Sequence, residues 1–241
     1  MKQPHDNWGL YYDFVYKKSF GSFYNNLTAE TINTIIEILP KGTIIDYGAG
    51  TGRLSFPLTE KGYFLIAVEK SSGMVEEFKR KADNCNLDVK IHNCSISDYQ
   101  NGKADIAIAL FTVLSYATTV KELSNNIKNI CHHINSNGYF FFDLPDTVFF
   151  NAGRLININT ANFKRSVELI SNNENDIYIY KENCRGIYNG QEFSYEEEFR
   201  IRYWTLSTLD KLLAENGFID TNKYFPQFNS TGSIYKLYQR Q

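Results

Sequence analysis

The sequence predicts an α/β fold: a three-layer, doubly wound, mostly parallel seven-stranded sheet with an antiparallel β-hairpin inserted after the fifth strand. Three observations carry this expectation. Strand-sized apolar runs alternate five times with helix-patterned segments, a glycine-rich turn ends the first run, and Asn189-Gly190 separates two long alternating stretches. Repeated strand–helix alternation implies right-handed crossovers, helices on both faces of the sheet, and ligands beyond the carboxyl ends of the strands. At 241 residues and 43% hydrophobic composition, the chain is long enough to bury one such domain with elaborations. The expected organisation is a single domain over residues 1–241, with an N-terminal cap to about residue 40 and an insertion over about 149–204.

Taken in order, an aromatic opening (Trp8, Tyr11, Tyr12, Phe14, Tyr16) precedes residues 23–39, where Leu27, Ile32, Ile35, Ile36 and Leu39 recur at helical intervals before Pro40 and Gly42 stop them. Strands are expected at residues 43–47, 64–69, 88–92, 104–111 and 139–144. Between them, Ser71 or Ser72 caps a helix containing Met74 and Phe78, and Thr119 with Glu122 forms a capping box ahead of Leu123, Ile127 and Ile130. Residues 177–188 and 191–204 flank Asn-Gly, the strongest short-range hairpin signal. In the returning arm Phe193, Tyr195, Glu197, Phe199, Ile201 and Tyr203 share one face, and Ser194, Glu196, Glu198, Arg200, Arg202 and Trp204 the other. Ser207 with Asp210 opens a helix that ends at Gly217, and strands near 218–225 and 233–238 close the chain. His132 and His133 fall at a helix end, a favourable dipole position with no metal-ligand spacing around it.

Residues 44–58 read Ile-Ile-Asp-Tyr-Gly-Ala-Gly-Thr-Gly-Arg-Leu-Ser-Phe-Pro-Leu, and a second apolar run ends in Glu69, seventeen residues after Gly52. Glycines at 48, 50 and 52 strip Cβ atoms from alternate positions of the turn, so that a ligand can lie on the main chain. Arg53 stands where a dinucleotide fingerprint needs its third glycine, which disfavours a nicotinamide oxidoreductase, and the loop has no lysine for triphosphate. Asp46-x-Gly48-x-Gly50-x-Gly52 followed by Glu69 resembles the first motif and ribose-binding acid of the class I S-adenosylmethionine-dependent methyltransferases. A carboxylate suits a ribose diol because it offers only acceptors.

That resemblance implies S-adenosyl-L-methionine as cofactor, bound by Tyr12, Asp46, Gly48, Ala49, Gly50, Gly52, Glu69, Lys70, Met74, Cys94, Ser95, Ile96, Phe111 and Thr112. Cys94 and Ser95 stand where the family often keeps an acid over the adenine. Residues 104–114 resemble the family's fourth-strand motif; Phe111-Thr-Val-Leu114 lacks the Asn/Asp-Pro-Pro-aromatic signature of enzymes that methylate nucleobases or glutamine amides. The Tyr12-Asp-x-x-Tyr16 pattern resembles the cofactor-covering helix of the small-molecule branch, and Phe111 to Tyr116 looks most like the sugar-amine N-methyltransferases. Where those enzymes often carry a histidine after the fourth strand, this chain has Tyr116. Tyr12 and Tyr116 are the candidate catalytic residues, and the hairpin is the candidate roof over the acceptor. No metal is implied.

A net charge of −2 and a pI near 6.1 offer no broad basic field for nucleic acid. The partner expected is a small-molecule acceptor presenting nitrogen or oxygen, with homodimerisation open. Scattered cysteines, the lack of an apolar leader and apolar runs far short of a bilayer span lead to the expectation of a cytoplasmic protein. The competing reading is a non-catalytic module that binds S-adenosylmethionine or S-adenosylhomocysteine.

Overall fold

The computed structural model describes residues 3–151, 153–172 and 176–241. Its strands are β1 (Thr43–Tyr47), β2 (Phe64–Glu69), β3 (Lys90–Asn93), β4 (Ala104–Ala109), β5 (Ile134–Pro145), β6 (Arg154–Asn159), β7 (Phe163–Ser171), β8 (Ile177–Tyr188), β9 (Gln191–Arg202), β10 (Phe218–Asp220) and β11 (Ser233–Arg240). Its helices are α1 (Tyr12–Phe20), α2 (Ser22–Ile38), α3 (Ser55–Glu60), α4 (Ser72–Cys85), α5 (Val120–His132), α6 (Thr147–Asn151) and α7 (Leu206–Glu215). Seven strands form the expected sheet in the order β10-β11-β5-β4-β1-β2-β3. β1 to β5 pair in parallel, and β11 runs antiparallel to both β5 and β10.

Period-two alternation divides each strand between two cores. Ile45 and Tyr47 pack with Leu123 and Ile127 of α5 and Leu209 and Leu213 of α7. Their neighbour Ile44 packs on the opposite face with Ile32 and Ile35 of α2 and Phe78 of α4. The helix starts follow local chemistry: Ser71 Oγ accepts from Met74 N at 3.2 Å, and Thr119 Oγ1 from Glu122 N at 3.1 Å. α7 begins earlier than its sequence signal, because Thr205 leaves β9 in extended conformation and accepts from Thr208 N, displacing Ser207 as cap.

The expected hairpin is β8 and β9, with Asn189 (φ 50°) and Gly190 (φ 79°) both left-handed, as a two-residue turn matched to strand twist requires. It is half of a larger unit. β6 and β7 extend it to a separate four-stranded antiparallel sheet, β6-β7-β8-β9. Phe193, Tyr195 and Ile201 of β9 are buried on the expected face. Trp204 departs from its assigned face: it lies beyond the end of β9, is buried in the main core, and donates from Nε1 to Ala117 O at 2.9 Å. The aromatic opening forms α1 and the turn before it, and fastens to this second sheet by stacking Trp8 on Tyr195 and Tyr11 on Phe193, both at 4.5 Å.

Candidate active site

Strand order reverses between β1 and β4, and open α/β sheets bind ligands outside such a switch point. A cavity of about 260 Å³ lies there, walled by the loops after β1, β2, β3 and β4 and by α1. Tyr12, Asp46, Gly48, Ala49, Gly50, Glu69, Lys70, Met74, Cys94, Ser95, Ile96, Phe111 and Tyr116, all singled out from sequence, line it. Two others stand apart. A Cβ on Gly52 would meet the Phe56 ring at 2.3 Å, so this glycine answers to packing inside the domain, and Thr112 lines a neighbouring cavity.

Glu69 organises the cofactor-sized space. One carboxylate oxygen accepts from Gly50 N at 3.0 Å and the other from Ser71 N at 2.8 Å, tying the glycine loop to the start of α4. A carboxylate has about four lone-pair positions, so two remain for hydroxyl donors. Gly50 has φ 57°, and a Cβ built on it meets nothing within 4 Å, which leaves its main chain open to a ligand. Behind the loop Asp46 accepts from Ser55 Oγ at 2.7 Å. Burial, against the pull of Ser55 and Arg53, pushes its pKa up to about 6.

A second cavity of about 240 Å³ lies between the main sheet, α1, α2 and the four-stranded sheet. Its wall is largely aromatic, with the buried Arg165–Glu182 pair at its roof and a buried Tyr24 hydroxyl that has no protein partner. His5, Phe111 and Tyr116 line both cavities and form the partition between them. Phe111 (φ 74°) and Thr112 (φ 68°) adopt left-handed backbone, unfavourable for a bulky and for a β-branched residue. Asp143 holds them there, accepting from Phe111 N at 2.6 Å and Thr112 N at 3.1 Å.

His5 and Glu197 are site residues that sequence reading missed. Residues 3–8 lie across the start of α4, where glycines permit contact of bare main chain: a Cβ on Gly9 would meet Gly73 O at 2.3 Å, and one on Gly73 would meet Asp6 O at 2.2 Å. Asp6 also accepts from Ser71 Oγ at 2.9 Å. Partial burial raises the Asp6 pKa, but hydrogen bonds from Gln3, Ser71 and the first turn of α4 outweigh it and hold the group below its usual range. His5 thereby reaches the partition, with Nε2 2.8 Å from Tyr116 Oη and Nδ1 3.1 Å from Glu197 Oε2. Glu197 belongs to a run of three glutamates, and the alternation of β9 turns it inward while Glu196 and Glu198 stay exposed. Burial is the largest cause that pushes the phenols of Tyr12 and Tyr116 well above their ordinary pKa, so both remain protonated at neutral pH.

Comparison with known proteins agrees with this geometry. Residues 44–138 match the family described as "Methyltransferase domain". The chain is 22% identical over 191 residues to YqeM of Bacillus subtilis (strain 168), a protein named as a methyltransferase, with 74% of each chain covered. Among solved structures, it resembles an S-adenosylmethionine-dependent methyltransferase from Clostridium acetobutylicum ATCC 824, with TM-score 0.82, 19% identity and coverage of 95% and 97%. It also resembles the sugar N-methyltransferase KedS8 from Streptoalloteichus sp ATCC 53650, with TM-score 0.73, 16% identity and coverage of 95% and 92%. At these identities the structures establish a shared fold, and the domain match covers the segment that walls the first cavity. From its glycine loop into its fifth strand this chain is similar to the methyltransferase-domain family, and its fold is the one seen in solved S-adenosylmethionine-dependent methyltransferases.

Proposed function

We propose that this enzyme methylates a nitrogen or oxygen atom of a small molecule held in the second cavity, beneath the four-stranded sheet. The single observation that carries the reading is the partition: a cofactor-sized cavity and a largely aromatic one meet at His5, Phe111 and Tyr116. The residues present fit S-adenosylmethionine, since the loop is open at Gly50 and Glu69 keeps two acceptor positions for a ribose diol. When bound, the cofactor supplies an electrophilic methyl on a sulfonium. The chain has to align the acceptor with it and exclude water.

In this reading the glycine loop holds the methionine end, Glu69 the ribose, and Cys94, Ser95 and Ile96 the adenine. Tyr12 and Tyr16, stacked at 4.3 Å, present electron-rich faces suited to a cation. Tyr116, at the partition, contacts the acceptor. Residues 1–40 act as cap and 149–204 as roof, of which 1–2, 152 and 173–175 lie outside the described residues.

Two measurements test the reading. Calorimetry is expected to detect S-adenosylhomocysteine, and Glu69→Ala to weaken it about 10- to 100-fold, as loss of charge-assisted hydrogen bonds requires. A panel of amines, amino sugars and hydroxylated metabolites is expected to yield cofactor turnover. Binding that survives Glu69→Ala unchanged overturns the ribose assignment, and binding without turnover across the panel favours a sensor.

A further inference from the structure

We propose that His5 is the proton acceptor of the reaction, drawing the acceptor's proton through the Tyr116 hydroxyl, with Glu197 as a positioning residue. The inference rests on the methyl-transfer reading and adds to it a residue and a proton path. Glu197 has only acceptor atoms, and its Oε2 lies 3.1 Å from Nδ1 of His5, a close contact not aligned as a hydrogen bond, in which the carboxylate's charge favours the ring proton on that nitrogen. Nε2 is then the free acceptor, and Tyr116 donates to it over 2.8 Å. The Tyr116 oxygen keeps lone pairs for a third group. Because both side chains line both cavities, that group is the atom to be methylated.

Backbone strain is an independent observation. His5 sits at φ 71°, left-handed and uncommon for a residue with a side chain, and Glu197 Oε1 accepts from its main-chain N at 2.7 Å. Strain persists where the surroundings over-determine a conformation, and Phe111 of the same partition is held the same way, by a carboxylate on its main-chain N.

The step balances. As the acceptor's lone pair bonds to the methyl carbon, the carbon–sulfur bond breaks and its electron pair stays on sulfur. The acceptor's N–H or O–H proton passes to Tyr116 Oη while the phenol's own proton passes to Nε2. The positive charge that began on sulfur ends on an imidazolium beside Glu197. Glu69 of β2 and Glu182 of β8 also bear on Tyr116, the Lys70 ammonium lies 5.8 Å from its ring, and the phenols of Tyr12 and Tyr16 pack nearby.

The chain has four histidines, so nitrogen-15 labelled imidazoles are resolvable by NMR and His5 is identified by its loss in His5→Gln. With S-adenosylhomocysteine bound, His5 is expected to carry its proton on Nδ1. Its Nε2 resonance should move in Tyr116→Phe, and its Nδ1 resonance should move in Glu197→Gln. A ring protonated on Nε2, or one indifferent to both substitutions, overturns the relay. For any acceptor turned over, His5→Gln is expected to lower kcat about 100-fold or more, with S-adenosylhomocysteine affinity retained. Turnover that survives His5→Gln counts against this inference alone, whereas no turnover across the panel counts against the methyl-transfer reading.

Discussion

Arg165 and Glu182 are wholly buried side chains, joined by two hydrogen bonds of 2.7 and 3.1 Å. The carboxylate also accepts from the hydroxyls of Tyr180 and Tyr195, and the guanidinium donates to Ser19 Oγ and lies 4.8 Å from the Tyr16 ring. Every charged atom is partnered, so losing one member leaves an uncompensated charge. Glu182→Ala is expected to destabilise the fold by about 3–5 kcal/mol in urea unfolding, against about 0–1 kcal/mol for Glu198→Ala, whose exposed pair with Lys181 is screened by solvent. Sequence displayed both glutamates equally; period-two alternation gives the face of each, but which face meets a buried arginine is a tertiary fact. The same holds for Glu197 and His5. Gly50 and Glu69 were legible because a glycine turn and an acid at the tip of the next strand are local signals.

Elements bounded by sharp local chemistry were read to the residue. β1 and β2 match their expected limits, since buried apolar runs end against glycine or a helix cap. β3 is a short strand with no fully buried residue and starts two positions later than expected. β6 and β7 went unread because asparagine, lysine, arginine, serine and glutamate interrupt their apolar residues, of which Phe163 and Ile158 pack with Trp8 and α1 and Leu155 and Leu169 with Phe150 and Ile201 only through tertiary contact. The N-terminal segment depends on its glycine contact with α4. Gly73→Ala places a methyl within 2.2 Å of main-chain oxygen, so the segment has to lift away. The expected outcome is a red-shifted emission from Trp8, now fully buried, with far-UV circular dichroism retained.

At the scale of the molecule, the buried charge behind the glycine loop sets a pH dependence. The Asp46 pKa rises from 3.8 unfolded to about 6 folded, chiefly through burial. Between these values the folded chain keeps a proton that the unfolded chain has released, so stability falls as pH rises through this window and levels off above it. The full effect is about 3 kcal/mol. Asp46→Asn, which can still accept from Ser55, is expected to gain up to about that amount over the parent between pH 4 and pH 7 in urea unfolding at each pH. No helix among the described residues is long and apolar enough to cross a membrane. The contact between His5 and Glu197 spans 192 residues of sequence. Chains emerge from the ribosome amino end first. The glycine loop is therefore translated long before the proposed proton acceptor meets its carboxylate, and His5 on a nascent polypeptide waits for the second sheet to emerge before that pairing can form.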